Sequence, residues 1–171
     1  MDLLKHIREI HDFPKRGILF RDITTVLKNP DALLAAVDGM VKLADGISFD
    51  AVLGPESRGF IFGVPVALRL GKGFVPIRKD GKLPAKTRRK EYALEYGNAT
   101  IEIHEDAIAQ GSRYVIVDDL LATGGTAKAA ADLVAEMGGT VACHIFFIEL
   151  ADLGGRNVLA GQEVRSLVVY N

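Results

Sequence analysis

Two adjacent carboxylates, Asp118 and Asp119, follow the apolar run Tyr114-Val-Ile-Val117 and precede Ala122-Thr-Gly-Gly-Thr126. The apolar run reads as a buried strand. After Thr126 comes a helical pattern with Ala130, Leu133, Val134 and Met137 on one face. Strand, acid pair, glycine turn and helix together describe an anion cradle. Gly124 and Gly125 let backbone N–H groups approach a phosphate closely, and the helix N-terminus adds roughly half a positive charge. A loop for phosphate alone would not carry two acids, which repel it. The pair makes sense if the ligand holds a phosphate at one end and two hydroxyls nearby, because carboxylates accept charge-assisted hydrogen bonds from a diol. A ribose 5-phosphate has that shape. The bland alternative is a pair of solvated strand-end acids. The sequence contains no G-x-x-x-x-G-K-[ST] and no G-x-G-x-x-G between strand and helix, which argues against a nucleoside triphosphatase.

Three further segments could bear chemistry. Gly54-Pro-Glu-Ser-Arg-Gly59 is a tight turn leading into a helix, and its Gly, Pro and Ser are turn formers in their own right. The stretch from Arg78 to Tyr96 is long, basic and poor in apolar residues, with Arg78, Lys79, Lys82, Lys86, Arg88, Arg89 and Lys90. On charge alone it reads as a solvated loop; long loops in compact domains also serve as lids. Phe20, in Leu19-Phe-Arg21, suits either core packing or a flat apolar contact with a ligand. His6, His11, His104 and His144 show no ligand spacing with Cys or acids, so no metal site is encoded.

The elements that must position these residues alternate between strand and helix. Leu3, Leu4, Ile7 and Ile10 suggest a short amphipathic helix. Asn29-Pro30-Asp31 starts a second helix, with Leu33, Leu34, Val37, Met40, Val41 and Ala44 as its expected buried stripe. Strands are expected at 50–54, 74–78, 114–118, 140–148 and 165–170, with a helix over 59–70. Residues 98–104 alternate cleanly and read as a half-exposed strand. The expected fold is α/β, with a mostly parallel central sheet flanked by helices. Ligands in such sheets sit beyond the carboxyl ends of the strands, where Glu56, Arg78 and Asp118 fall.

Bulk composition agrees. The 171 residues suit one domain, 1–171, able to bury a proper core, and 49% apolar with 25% charged content is that of a soluble globular protein. A net charge of -1 points to neither nucleic acid nor an anionic membrane. The single Cys143 fits a reducing compartment. The N-terminal residues lack the apolar core of a signal peptide, and the apolar stretch Val141–Leu150 is too short to span a bilayer. A cytoplasmic location is the default expectation.

The segment Val117-Asp-Asp-Leu-Leu-Ala-Thr-Gly-Gly-Thr126 resembles the signature of the type I phosphoribosyltransferases, in the form carried by the members that act on adenine. Hypoxanthine-guanine members read more like Glu-Asp-Ile-x-Asp-Thr-Gly here. Phe13–Thr24, Ser57–Gly63, Arg78–Pro84 and Leu94–Gly97 match as well, in that order, so the resemblance covers the chain from about Phe13 to Leu150. It implies a small N-terminal hood over 1–30, a flexible catalytic loop over 78–97 and a likeness to homodimers. It implies transfer of the 5-phosphoribosyl group from 5-phosphoribosyl 1-diphosphate to adenine, giving AMP and diphosphate. Mg2+ would be the cofactor, held mainly by the substrate, with no direct protein ligands.

The resemblance also assigns roles. Asp118 and Asp119 would hold the ribose, and Ala122, Thr123, Gly124, Gly125 and Thr126 the 5-phosphate. Glu56, Ser57 and Arg58 would form the diphosphate turn, although Pro55 departs from the usual pattern. Lys79 and Lys82 would lie near the diphosphate, and Arg78 would reach across a dimer interface. Glu95 would move over the purine with Tyr96 positioning it, so that Glu95, Arg58, Asp118 and Asp119 are the catalytic set. Leu19, Phe20, Arg21 and Leu150 would contact adenine. Transfer to another purine base, and a non-catalytic regulator sensing a phosphoribosyl ligand, are the alternatives. The regulator lacks support in a chain with no DNA-binding extension.

Overall fold

The computed structural model describes residues 1–93 and 97–171, which gather into two compact units, Met1–Gly39 and Met40–Asn171. In the first unit a 3-10 turn at Leu3–His6 leads into β1 (Arg8–His11), which pairs antiparallel with β2 (Leu19–Asp22), followed by α1 (Thr24–Leu27). The helix expected over Leu3–Ile10 is therefore half turn and half strand. Pairing with β2 decides it: Arg8 and Asp22 are register partners, and Arg8 Nε donates to Asp22 Oδ2 at 2.9 Å.

The unit boundary falls within α2 (Pro30–Leu43). Asn29 caps this helix, its Oδ1 accepting the N–H groups of Asp31 and Ala32 at 3.1 Å each. The buried stripe is Ala32, Ala36, Val37, Met40 and Ala44, whereas Leu34 is 48% exposed. Small residues let the helix pack closely on a face rotated from the one its leucines suggest.

The second unit continues with β3 (Ala51–Pro55), α3 (Arg58–Arg69), β4 (Gly73–Lys79), β5 (Thr87–Ala93) and β6 (Asn98–His104). Then come β7 (Arg113–Leu121), α4 (Gly125–Glu136), β8 (Thr140–Leu150), α5 (Gly155–Val158) and β9 (Val164–Tyr170). Seven strands form one sheet in the order β5-β6-β4-β3-β7-β8-β9. Pairings from β4 through β9 are parallel, and β6 joins β4 and β5 antiparallel, so the sheet is mostly parallel as expected. Leu53, Ile77 and Ile116 pack with Ala130, Leu133 and Val134 of α4 in one core layer. Phe62 of α3 meets Phe147 of β8 with ring centroids 5.0 Å apart. Each such fully buried side chain contributes about 1.5–3 kcal/mol.

Two readings of the sheet edge change. The basic segment expected as loop contains β5, paired with β6 along its whole length from Thr87↔His104 to Ala93↔Asn98. Consequently β6 is an interior strand and not a half-exposed one, with Ile101, Glu102 and Ile103 all buried. The β5 cations have partners within the fold: Arg88 with Glu105 at 3.3 Å, Arg89 with Asp80 at 3.0 Å, and Lys90 with Glu136. No described helix is long and apolar enough to cross a membrane.

Candidate active site

From β3 the chain runs one way through α3 to β4, while the strand on its other side is β7. The order therefore reverses between β3 and β7, and a crevice opens beyond the carboxyl ends of such a strand pair. A cavity of about 240 Å³ lies there, reached by Glu56, Ser57 and Arg58 after β3, and by Asp118, Asp119 and residues 122–126 after β7.

β7 runs past the acids to Leu121, so the pair sits within the strand and not beyond its end. Asp118 Oδ1 accepts the Asp119 N–H at 2.8 Å, and Asp119 Oδ2 lies 3.1 Å from Arg58 Nε. Gly59 makes this approach possible: a Cβ there would meet Asp118 Oδ1 and the Pro55 ring at 3.0 Å each. Burial pushes the Asp118 carboxyl well above the ordinary carboxylate range, and the neighbouring Asp119 charge adds to the shift. Asp119 is also raised by burial, against the opposing pull of Arg58. Two desolvated acids sharing one cation are charged at a cost that a hydroxyl-bearing ligand would offset.

The cradle follows. Gly124 adopts φ +83° and caps α4, whose first-turn N–H groups have no carbonyl one turn earlier to bond. Gly124 and Gly125 line the cavity, so these donors and the helix dipole face it. Behind the cradle, α5 packs backbone to backbone: a Cβ on Gly124 would sit 2.8 Å from Gly155 O, and one on Gly155 only 2.4 Å from Ala122 O. Arg156 fixes α5 by a two-pronged pair with Glu149, Nε and Nη2 to the two carboxylate oxygens at 2.6 and 2.8 Å, and donates to Val164 O at 2.9 Å. Burial raises the Glu149 carboxyl, but the Arg156 and Ser166 hydrogen bonds and the Arg156 charge together outweigh it and leave it below its usual value.

The Glu56–Ser57 peptide is cis. Glu56 Oε2 accepts from Arg78 Nε at 2.7 Å and from the Lys79 N–H at 3.0 Å. Burial raises the Glu56 carboxyl, yet these donors leave it lowered, an ionised acid neutralised in place. Arg78 Nη1 also donates to Lys82 O at 3.2 Å, and Lys79 and Lys82 are exposed.

Of the residues singled out in the sequence, the cavity gathers Glu56, Ser57, Arg58, Asp118, Asp119 and the 122–126 segment. Arg78 adjoins it through Glu56. Leu19, Phe20 and Arg21 belong to β2 in the N-terminal unit. There the Phe20 ring packs edge-on against Phe13 at 5.2 Å, and Arg21 pairs with Glu9. Among the described residues β2 has a strand on one side only, leaving a row of backbone donors and acceptors on its other edge outside the ladder. Leu150 ends β8. Glu95 and Tyr96 lie outside the described residues.

Two participants were not read from the sequence. Tyr92 Oη lies 3.1 Å from the cradle's Thr126 Oγ1, and Arg156 acts through Glu149. Neither has a local sequence signal; both depend on which strands pair. Among the described residues, no three of His, Cys, Asp and Glu converge as metal ligands.

A sequence model described as the phosphoribosyl transferase domain matches residues 22–158. The adenine phosphoribosyltransferase of Acetivibrio thermocellus is 56% identical over 171 residues, covering 99% of this chain and 100% of its own. Among solved structures, the adenine phosphoribosyltransferase of Thermoanaerobacter pseudethanolicus superposes with a TM-score of 0.96 at 53% identity, covering 99% of this chain and 98% of that one. The Saccharomyces cerevisiae enzyme, complexed with D-2,5-dideoxy-2,5-imino-altritol 1,6-bisphosphate and adenine, gives 0.91 at 38% identity, covering 97% and 96%.

Proposed function

The chain belongs to the phosphoribosyl transferase family, and on that premise we propose that it transfers the 5-phosphoribosyl group of 5-phosphoribosyl 1-diphosphate to adenine, yielding AMP and diphosphate in purine salvage. The observation that supports this reading is one cavity lined side by side by the Asp118–Asp119 pair, the glycine turn at 122–126 and the Arg58 turn. The bond from the anomeric carbon to the diphosphate oxygen breaks, a bond to N9 of adenine forms, and the base releases a proton. The reacting carbon gains oxocarbenium character, so catalysis is positional and electrostatic.

The side chains divide this work. Residues 122–126 anchor the 5-phosphate through the first turn of α4. Asp118 and Asp119 accept hydrogen bonds from the ribose hydroxyls and oppose the positive charge developing beside them. Arg58, Lys79 and Lys82 favour the departing diphosphate. Glu95 is assigned to the purine around N7, with Tyr96 beside it. The backbone of Leu19–Arg21 is assigned to the adenine edge, with Phe20 and Leu150 offering apolar contact. The open cavity with two hard carboxylates fits Mg2+ that keeps its waters and arrives on the substrate. Mg2+ held near Asp118 and Asp119 would supply charge neutralisation for the departing diphosphate. The family match crosses the boundary between the two compact units, which supports one functional domain. A homodimer in the cytoplasm completes the proposal, supported by the resemblance in sequence.

The direct test is diphosphate release from 5-phosphoribosyl 1-diphosphate. Release should require both adenine and Mg2+, and chelation should abolish it reversibly. Release at the full rate without adenine would mean hydrolysis, not transfer.

A further inference from the structure

Glu102 has no part in the chemistry above, yet its carboxylate is wholly buried in the middle of β6. Its register partners are Arg78 of β4 on one side and Arg89 of β5 on the other. A buried charge survives only where hydrogen bonds and counter-charges replace water. Here Oε1 accepts the backbone N–H groups of Lys82 and Leu83 at 2.8 Å each. Arg89 Nε stands 3.4 Å from Oε2, while its Nη1 reaches Asp80 at 3.0 Å. Burial raises the carboxyl, but the backbone N–H groups of Leu83, Lys82 and Gly81 in the turn, together with the Thr87 side chain of β5, outweigh it and hold it lowered and ionised.

Both backbone polar groups of Lys82 are therefore taken: the N–H by Glu102, the C=O by Arg78. Arg78 in turn holds Glu56, whose same oxygen accepts the Lys79 N–H. The turn between β4 and β5 is thus tied at one end to a buried charge and at the other to the Glu56–Arg58 turn that lines the cavity. We infer that Glu102 is a positioning residue for diphosphate: it locks the Lys79–Lys82 turn to the Glu56–Arg58 turn, so that both diphosphate-binding segments are presented as one rigid unit.

The inference rests on the proposed reaction and has consequences that a merely structural role lacks. Diphosphate and the diphosphate-bearing substrate should feel the loss of Glu102, whereas AMP, which carries no diphosphate, should not. Glu102→Gln keeps the volume and one carbonyl acceptor but removes the charge; Glu102→Ala removes both. Calorimetric titration of the full chain with Mg2+-diphosphate, 5-phosphoribosyl 1-diphosphate and AMP distinguishes the cases. For Glu102→Gln the diphosphate and substrate dissociation constants should rise roughly tenfold, the difference between a charged and a neutral acceptor. Glu102→Ala should raise them further, AMP affinity should stay within about twofold of the parent, and KM for the diphosphate substrate should rise more than kcat falls. If Glu102→Gln weakens AMP as much as diphosphate, or weakens neither, the inference fails. Should Glu102→Ala not fold, Glu102→Gln decides alone. Parent protein that binds no 5-phosphoribosyl 1-diphosphate would overturn the proposed reaction itself, and this inference with it.

Discussion

Asp118→Asn is expected to cripple the enzyme and stabilise the protein at the same time. The activity loss follows from the charge: an amide accepts one hydrogen bond from a ribose hydroxyl but offers no charge to the developing oxocarbenium. A hydrogen bond to a charged acceptor is worth about 1.5–3 kcal/mol, so kcat/KM for the diphosphate substrate should fall roughly 10–100-fold. The double replacement of Asp118 and Asp119 by Asn should cost roughly 10²–10⁴-fold. The stability gain follows from the raised pKa of Asp118, caused by burial and by Asp119. A carboxyl whose folded pKa lies above its unfolded value binds more protons folded than unfolded between the two. Stability therefore falls as pH rises above the unfolded value toward the folded one, and at neutral pH the native state carries a penalty that is absent below the unfolded value. Asn removes it while still accepting the Asp119 N–H. The melting temperature at pH 7 should rise, by roughly 2–4 °C for each kcal/mol relieved, and the gap should close as pH is lowered toward about 4. Asp119→Asn should show a smaller gain, because Arg58 at 3.1 Å already offsets its charge. Thermal melts of both variants across pH check this; equal melting temperatures for parent and Asp118→Asn at pH 7 would contradict it.

Gly155→Ala tests the cradle from behind. Gly155 is the first residue of α5, and no positive φ is demanded of it, so an alanine backbone is tolerated. The added methyl would stand 2.4 Å from Ala122 O and 2.7 Å from Leu121 Cδ1, closer than real contacts allow. Backbone cannot swing aside as a flexible side chain can. Either α5 tears away from Glu149, or the Ala122 carbonyl and the adjoining amides shift. A displacement near 1 Å at a positioned group can cost about 10²-fold. The expected result is a KM for the diphosphate substrate raised at least about tenfold, with KM for adenine far less affected. Gly161→Ala, where a Cβ would meet nothing within 4 Å but φ is +83°, is the matched control for simple backbone strain. Parent-like kinetics for Gly155→Ala would show that the cradle does not depend on α5.

The acid–glycine segment was readable because its chemistry is contiguous: strand, carboxylates, turn glycines and helix start succeed one another in twelve residues, Val115 to Thr126. The parallel strands were readable because burial on both faces demands mostly apolar runs, as in β3 and in β8, where His144 and Glu149 are the interruptions. The antiparallel edge was not. Thr87-Arg-Arg-Lys-Glu-Tyr-Ala93 has the composition of a solvated loop, and becomes a strand through its pairing with β6 and its cross-strand ion pairs. The same pairing buries Glu102, which the alternation of 98–104 gave no reason to expect. In α2, two alanines displaced Leu34 from the buried face, since close packing rewards fit over hydrophobic bulk. The lock between Glu149 and Arg156 joins the end of β8 to α5, and only the fold reveals that each is the other's partner.

The most direct test of the central claim offers purified protein 5-phosphoribosyl 1-diphosphate and Mg2+ with adenine, hypoxanthine, guanine and xanthine together, and identifies the nucleotides formed. AMP as the sole early product is the result expected. IMP, GMP or XMP at a comparable rate would contradict the assignment to adenine, and binding of the diphosphate substrate with no nucleotide formed from any base would contradict transfer itself.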